Sequence, residues 1–293
     1  MIKKKLFVWV CDYSETSGEG KLAKLFIKKL INKNEFDITL NQKKILKYKY
    51  ISTLQGIIYC WKKYVNNQKV CYLNYFPFWN FLIPLLLPPK TILGPITGGA
   101  IYSKLNILSF FIRGVIFPVL YKISEFLIVV RNENIIFSTE LLKKYLFLST
   151  IKKSKFNFVC KSFVKKKKVR KRIDFLIYYR KHLNKESLFP YNFVTKLIDN
   201  KFKIHIIGDR LNIPFVKNYG KISNKKVSKL QSQAKYTIAS GENFYSFFTI
   251  ECLSNNVKII TNKNEMKKIK YFKKQIIKIN YHNIKDLRKL KRL

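Results

Sequence analysis

Ile173-Asp174-Phe175-Leu176-Ile177-Tyr178-Tyr179-Arg180, then a helical stretch at 191–200, then Phe202-Lys203-Ile204-His205-Ile206-Ile207-Gly208, is the part of this 293-residue chain whose reading settles the architecture. Each apolar run is too short for a helix and rich in β-branched and aromatic residues, the pattern of a strand buried on both faces. The rhythm continues with a helix at 224–234, a strand at 236–239, a helix at 247–254 and a strand at 257–261. Strands alternating with helices in this way predict a doubly wound parallel sheet.

Working outward, the chain opens with a strand at 6–11, a polar turn Ser14-Glu15-Thr16-Ser17-Gly18-Glu19-Gly20 and an amphipathic run at 21–32. Short apolar runs follow at 70–73, 91–93 and 135–138. These units predict an α/β chain of two Rossmann-like domains facing each other across a cleft, 1–170 and 171–293. The length suits two such domains. The stretch at 161–172, with Lys165-Lys166-Lys167-Lys168 at its centre, lacks apolar periodicity and reads as the interdomain linker or an exposed loop. Nuclear localisation or nucleic-acid binding is its rival reading.

The formal charge is +43, from 59 Lys and Arg against 16 Asp and Glu, yet 47% of the residues are hydrophobic, which excludes a disordered polyelectrolyte. Lys, Asn, Ile, Phe and Tyr are raised together, the mark of compositional bias. A solvated lysine-rich surface accounts for the charge; attraction to an anionic membrane surface or polyanionic substrate is the other reading. Five cysteines without a C-x-x-C pair support neither a disulfide framework nor a zinc site. The short apolar run after the basic N-terminus reads as a strand and not a signal peptide, which places the protein in a reducing cytoplasm. No uninterrupted apolar stretch is long enough to span a bilayer. The apolar segment at 107–120 reads as a buried helix packed on a sheet, with a place in the lipid interface as the alternative.

In the second half the order is strand, basic residues, helix, strand ending at Gly208, Tyr219-Gly220-Lys221-Ile222-Ser223, helix, strand, then Ser240-Gly241-Glu242-Asn243-Phe244-Tyr245-Ser246-Phe247-Phe248-Thr249-Ile250-Glu251. This resembles the donor domain of GT-B glycosyltransferases, in particular the retaining family with an E-x7-E motif. Residues 174–262 carry the resemblance; the first half shares only the general layout. The resemblance implies that Arg180 and Lys185 bind the diphosphate of a nucleoside diphosphate sugar, that Glu242 contacts the donor sugar, and that Glu251 binds the ribose hydroxyls. Fixed cations and a helix N-terminus suit a leaving diphosphate without a metal or other cofactor. Gly208, Ser240, Gly241 and the backbone amides of Phe244, Tyr245 and Ser246 complete the implied donor site. The chain departs from the motif, because eight residues separate Glu242 from Glu251 and the strict register falls on Asn243. Either the loop has one extra residue or Asn243 has taken over the hydrogen-bonding role.

The loop containing Gly18 and Gly20 resembles the Gly-rich loop of these enzymes, although it is neither a P-loop nor a G-x-G-x-x-G turn. On the acceptor side stand Glu15 and the loop Gly94-Pro95-Ile96-Thr97-Gly98-Gly99, with Thr97, Gly98 and Gly99 its candidate contacts. The aromatic cluster at 75–80 reads as core, or as a platform for a sugar ring or lipid. No D-x-D occurs, and all three histidines lie in the second half, so no N-terminal histidine is available as the general base of an inverting reaction. The expected function is transfer of a hexose-type sugar, with retention, to a saccharide or lipid-linked saccharide in envelope polysaccharide assembly. The enzyme would be cytoplasmic or peripheral on the inner face of the membrane. A non-catalytic relative of the fold and a basic nucleic-acid-binding protein are the alternatives.

Overall fold

The computed structural model describes residues 3–40, 49–73, 76–99, 107–131, 134–264, 269–283 and 290. They divide into two compact units, with the break between Lys161 and Ser162.

The first unit comprises β1 (Lys4–Val10), α1 (Gly18–Lys29), β2 (Phe36–Leu40), α2 (Lys49–Val65), β3 (Lys69–Leu73), α3 (Leu82–Leu86), β4 (Ile92–Leu93), α4 (Ile107–Phe111), α5 (Phe117–Arg131), β5 (Ile135–Ile136), α6 (Leu148–Lys153) and β6 (Ser154–Lys155). A four-stranded sheet in the order β2-β1-β3-β4 forms its centre, and all its strand pairs are parallel. Leu6, Phe7, Val8 and Trp9 are buried in β1, which has a strand on each side and α2 packed on it. Each such side chain contributes about 2 kcal/mol on burial. Phe76 and Phe78 belong to this core, as the sequence reading of their cluster prefers, and Trp79 stacks on Phe117 at its edge. Tyr75 lies outside the described residues.

Two expectations for this unit are corrected. Gly18 and Gly20 do not form a loop; they open α1, whose N-cap Ser17 accepts a hydrogen bond from the Gly20 amide at 2.8 Å. A Cβ at Gly20 would overlap the carbonyl of Ser14, so this glycine lets the loop after β1 fold down on the helix. The segment at 107–120 is not a buried helix. It runs through α4 and a π-helical turn, Ile112–Ile116, into α5, and none of the π-turn residues is buried. In α5 the buried positions Tyr121, Ser124, Glu125 and Ile128 form one helical stripe. The helix is apolar on nearly every face, so one stripe fills the core and the rest stays outside.

The second unit comprises β7 (Ile173–Tyr179), α7 (Leu183–Glu186), α8 (Tyr191–Asp199), β8 (Ile204–Gly208), β9 (Lys217–Asn218), α9 (Asn224–Gln233), β10 (Ala234–Ile238), α10 (Phe247–Ser254), β11 (Lys258–Asn262) and β12 (Ile276–Ile279). Its six-stranded sheet has the order β12-β11-β10-β7-β8-β9, and every pair is parallel. The basic stretch at 164–170 is exposed, but the second unit holds it: the Lys166 amide donates to the Ser254 carbonyl at 2.8 Å, and Asn256 Nδ2 donates to the Lys166 carbonyl at 2.9 Å.

Candidate functional site

In the second unit the chain lays β8 and β9 to one side of β7, then β10, β11 and β12 to the other. The order therefore reverses between β7 and β10, and the crevice outside the carboxyl ends of those strands is where open α/β sheets take ligands. Two loops meet there. The stretch after β7 carries Arg180, in the loop directly beyond the strand, and Lys185, in the short helix α7; the loop after β10 carries Ser240, Gly241, Glu242 and Asn243.

Their contact is specific. Lys185 Nζ lies 3.8 Å from Glu242 Oε2 with both side chains partly exposed, a pairing of at most about 1 kcal/mol that leaves the cation free to turn to a ligand. A Cβ on Gly241 would come within 2.9 Å of the Leu188 carbonyl oxygen, so the two loops approach as closely as they do because position 241 lacks a side chain. Lys185 also lies over the Tyr178 ring at 5.9 Å, and that ring packs against Phe248 of α10 at 5.6 Å. Arg180 is exposed immediately beyond β7.

Polar groups in both loops fix their shape. Tyr179 Oη donates to Glu186 Oε1 at 3.1 Å and lies 2.8 Å from Tyr191 Oη, which ties α7 to the strand end and to α8. Burial, reinforced by Tyr191 and Glu186, pushes the Tyr179 phenol up. Asp209, directly after Gly208, accepts from the Lys181 amide at 2.8 Å and so pins the residue that follows Arg180. Gly208 itself has φ of +102° and lies against the Tyr179 carbonyl, a turn that only glycine makes without strain. Phe244 and Tyr245 are buried, and the Tyr245 hydroxyl accepts from the Lys270 and Tyr271 amides at 2.9 and 2.7 Å. Their side chains anchor the loop after β10. Ser240 Oγ accepts from the Asn243 amide at 3.5 Å, and Ser246 caps α10 by accepting from the Thr249 amide at 3.2 Å.

Glu251 has a different setting. Its Oε2 accepts from Gln231 Nε2 at 3.3 Å, Gln231 Oε1 accepts from Asn255 Nδ2 at 3.4 Å, and the Asn255 carbonyl accepts from Lys171 Nζ at 2.9 Å. Lys171 precedes β7, and Gln231 and Asn255 stand at the C-terminal ends of α9 and α10, so this network runs to the amino edge of the sheet. Burial lowers the Lys171 pKa. The structure thus brings Lys185 to Glu242 and gives Glu251 its own partners.

In the first unit, Glu15 is exposed and paired with Lys24 at 3.0 Å; the hydrogen bond from that lysine holds its carboxyl below the usual range. Gly98 and Gly99 follow β4 with φ of +122° and +81°, and the Thr97 amide donates to the Phe76 carbonyl at 3.4 Å. Tyr178, Leu188, Asp209 and Phe248 shape the crevice without having been singled out by sequence. Only the place of Asp209, next to a strand-ending glycine, offered a signal.

Two parallel, Rossmann-like α/β units in one chain define the GT-B type of fold. The solved structures that share it include UDP-GlcNAc 2-epimerase from Methanocaldococcus jannaschii, at 13% identity and a TM-score of 0.55 over 100% of this chain and 92% of that one. Anabaena HepE in complex with UDP matches at 10% identity and 0.53, over 99% and 89%. A glycosyltransferase from Rickettsia africae matches at 13% and 0.51, over 99% and 88%. No protein-family model matches the chain, and no curated protein matches its sequence.

Proposed function

We propose that the chain is a glycosyltransferase that moves a sugar from a nucleoside diphosphate sugar to a saccharide or lipid-linked saccharide. The observation that carries this reading is the meeting of Lys185 and Glu242 at the switch point of the second sheet, beside Arg180 and the N-terminus of α10. Arg180, Lys185 and the first amides of α10 would hold the diphosphate, with fixed cations in the role a metal takes elsewhere. Glu242 would orient a sugar hydroxyl. In a retaining transfer the bond from the anomeric carbon to the diphosphate oxygen breaks, the acceptor oxygen bonds to that carbon on the same face, and the acceptor proton passes to the departing phosphate. HepE, which shares the fold, is solved in complex with UDP, which supports a nucleotide as the ligand of this chain.

The fold is also that of a UDP-GlcNAc 2-epimerase, which supports a second reading in which the sugar is remodelled on its nucleotide. Transfer releases the nucleoside diphosphate and requires an acceptor; epimerisation leaves a changed nucleotide sugar. Incubation with UDP-, GDP- and ADP-sugars, followed by proton NMR with and without oligosaccharide acceptors, separates the two.

Binding itself is tested by thermal shift. One nucleoside diphosphate should raise the melting temperature of the wild-type chain, and Arg180→Ala and Lys185→Ala should each weaken its binding by about 1.5–3 kcal/mol, the worth of a charge-assisted hydrogen bond. Stabilisation that survives both substitutions unchanged would remove the site from this crevice.

A further inference from the structure

Large apolar side chains crowd one surface of the first unit. Ile107 is 90% exposed, Phe110 and Phe126 67% each, and Val130 68%. On the neighbouring α2 and α3, Ile58 and Leu85 are exposed as well. The three parts are joined: Trp61 Nε1 of α2 donates to the Leu86 carbonyl at 2.7 Å, and Arg131 of α5 donates to the Leu87 carbonyl. A patch with this many exposed aromatic and aliphatic side chains marks a contact surface.

Along the sequence, the segment that carries it has charge of one sign. Residues 38–124 contain eleven Lys and Arg and not one Asp or Glu. Glu125, the acid within α5, is turned inward, where it accepts from the Phe147 amide at 2.7 Å and pairs with Lys122 at 3.1 Å. Exposed Lys62 and Lys90 flank the patch. Beside α5 an open cavity of about 380 Å³ is lined by apolar side chains, Val119 and Leu146 among them, together with Lys122 and Lys144.

We infer that this face seats the protein on an anionic bilayer surface, with the apolar side chains of α4 and α5 in the interface and the cations over the headgroups. Apolar burial together with attraction to anionic lipid is the pairing that gives stable interfacial binding. A second copy of the chain fits poorly, because a two-fold contact would set this carboxylate-free, cation-rich region against itself. Among the described residues no helix is long and apolar enough to cross a membrane, so the contact is one of lying on the surface.

The test is co-sedimentation of the full chain with phosphatidylcholine vesicles, alone or with one-third phosphatidylglycerol. Binding should require the anionic lipid, and Phe110→Ser combined with Phe126→Ser should lower partitioning about tenfold, while the near-ultraviolet circular dichroism stays that of wild type because both side chains are exposed. Should that variant fail to fold, quenching of wild-type tryptophan fluorescence by brominated acyl chains gives the same answer through Trp61. Three results would overturn the inference: no partitioning onto anionic vesicles, partitioning indifferent to the two substitutions, or no quenching by brominated lipid. A wild-type dimer that the substitutions dissociate while vesicle binding persists would assign the face to a second copy instead.

Discussion

A carboxylate within Phe247-Phe248-Thr249-Ile250-Glu251-Cys252-Leu253 needs a partner, because an isolated charge among apolar side chains is costly. The resemblance supplies one in a ribose; the structure supplies Gln231, which is buried and donates to Glu251. Glu251→Ala leaves that amide donor unsatisfied and should cost about 1–3 kcal/mol in urea unfolding, whereas Glu251→Gln, which keeps an acceptor, should cost less. Nucleotide stabilisation should persist in both variants. Loss of binding in Glu251→Ala at nearly unchanged stability would instead restore the ribose contact. His205 makes a second prediction. Burial lowers its pKa from 6.5, with the Lys217 charge adding to the effect, and Tyr219 Oη lies 3.2 Å from its Nδ1. The folded state therefore takes up its proton at lower pH than the unfolded state. The stability this gives is present above pH 6.5 and is lost as pH falls through the lower folded value. His205→Phe should flatten that part of the stability profile, as read by urea midpoints at stepped pH; an unchanged slope would assign the dependence to other groups.

At the level of elements, the meeting of the loops after β7 and β10 depends on Gly241. In Gly241→Ala the new methyl would press on the Leu188 carbonyl oxygen, which cannot yield as a flexible side chain would. A destabilisation of about 1–3 kcal/mol should follow, and weaker nucleotide binding with it, as Glu242 is carried away from Lys185. Unchanged affinity in a destabilised Gly241→Ala chain would show that the Lys185 pairing does not shape the site. The strands of the second unit were legible in sequence because each is buried on both faces and reads as a continuous apolar run: the expected 173–179 coincides with β7, and the helix at 247–254 with α10. Helix α1 begins three residues before the sequence pattern suggests, because glycines at 18 and 20 look like a loop until Ser17 is recognised as the cap. The exposure of the long apolar helix is hidden from the sequence, because hydropathy measures the side chains and not what remains to cover them. The pairing of Lys185 with Glu242 is legible only through the resemblance, since bringing together residues far apart in sequence depends on the strand order, which no local pattern encodes. Gln231 as the partner of Glu251 was not legible at all, for the same reason.

For the whole molecule, the two units have separate apolar cores, one built around Trp9, Tyr72 and Phe78 and the other around Phe175, Phe193 and Ile206. Chains with more than one core commonly depart from two-state unfolding. All three tryptophans, Trp9, Trp61 and Trp79, lie in the first unit, so their fluorescence reports that core alone while the far-ultraviolet circular dichroism reports helices of both. The two probes should give transitions at different urea concentrations. A nucleoside diphosphate held by Arg180 and Lys185 binds the folded second unit and stabilises it by mass action, by about 2.7 kcal/mol at a hundredfold excess over Kd. It should therefore move the component seen only by circular dichroism and leave the tryptophan transition in place. If both transitions move together by the same amount, nucleotide binding engages both cores at once, and a donor site confined to the second sheet is ruled out.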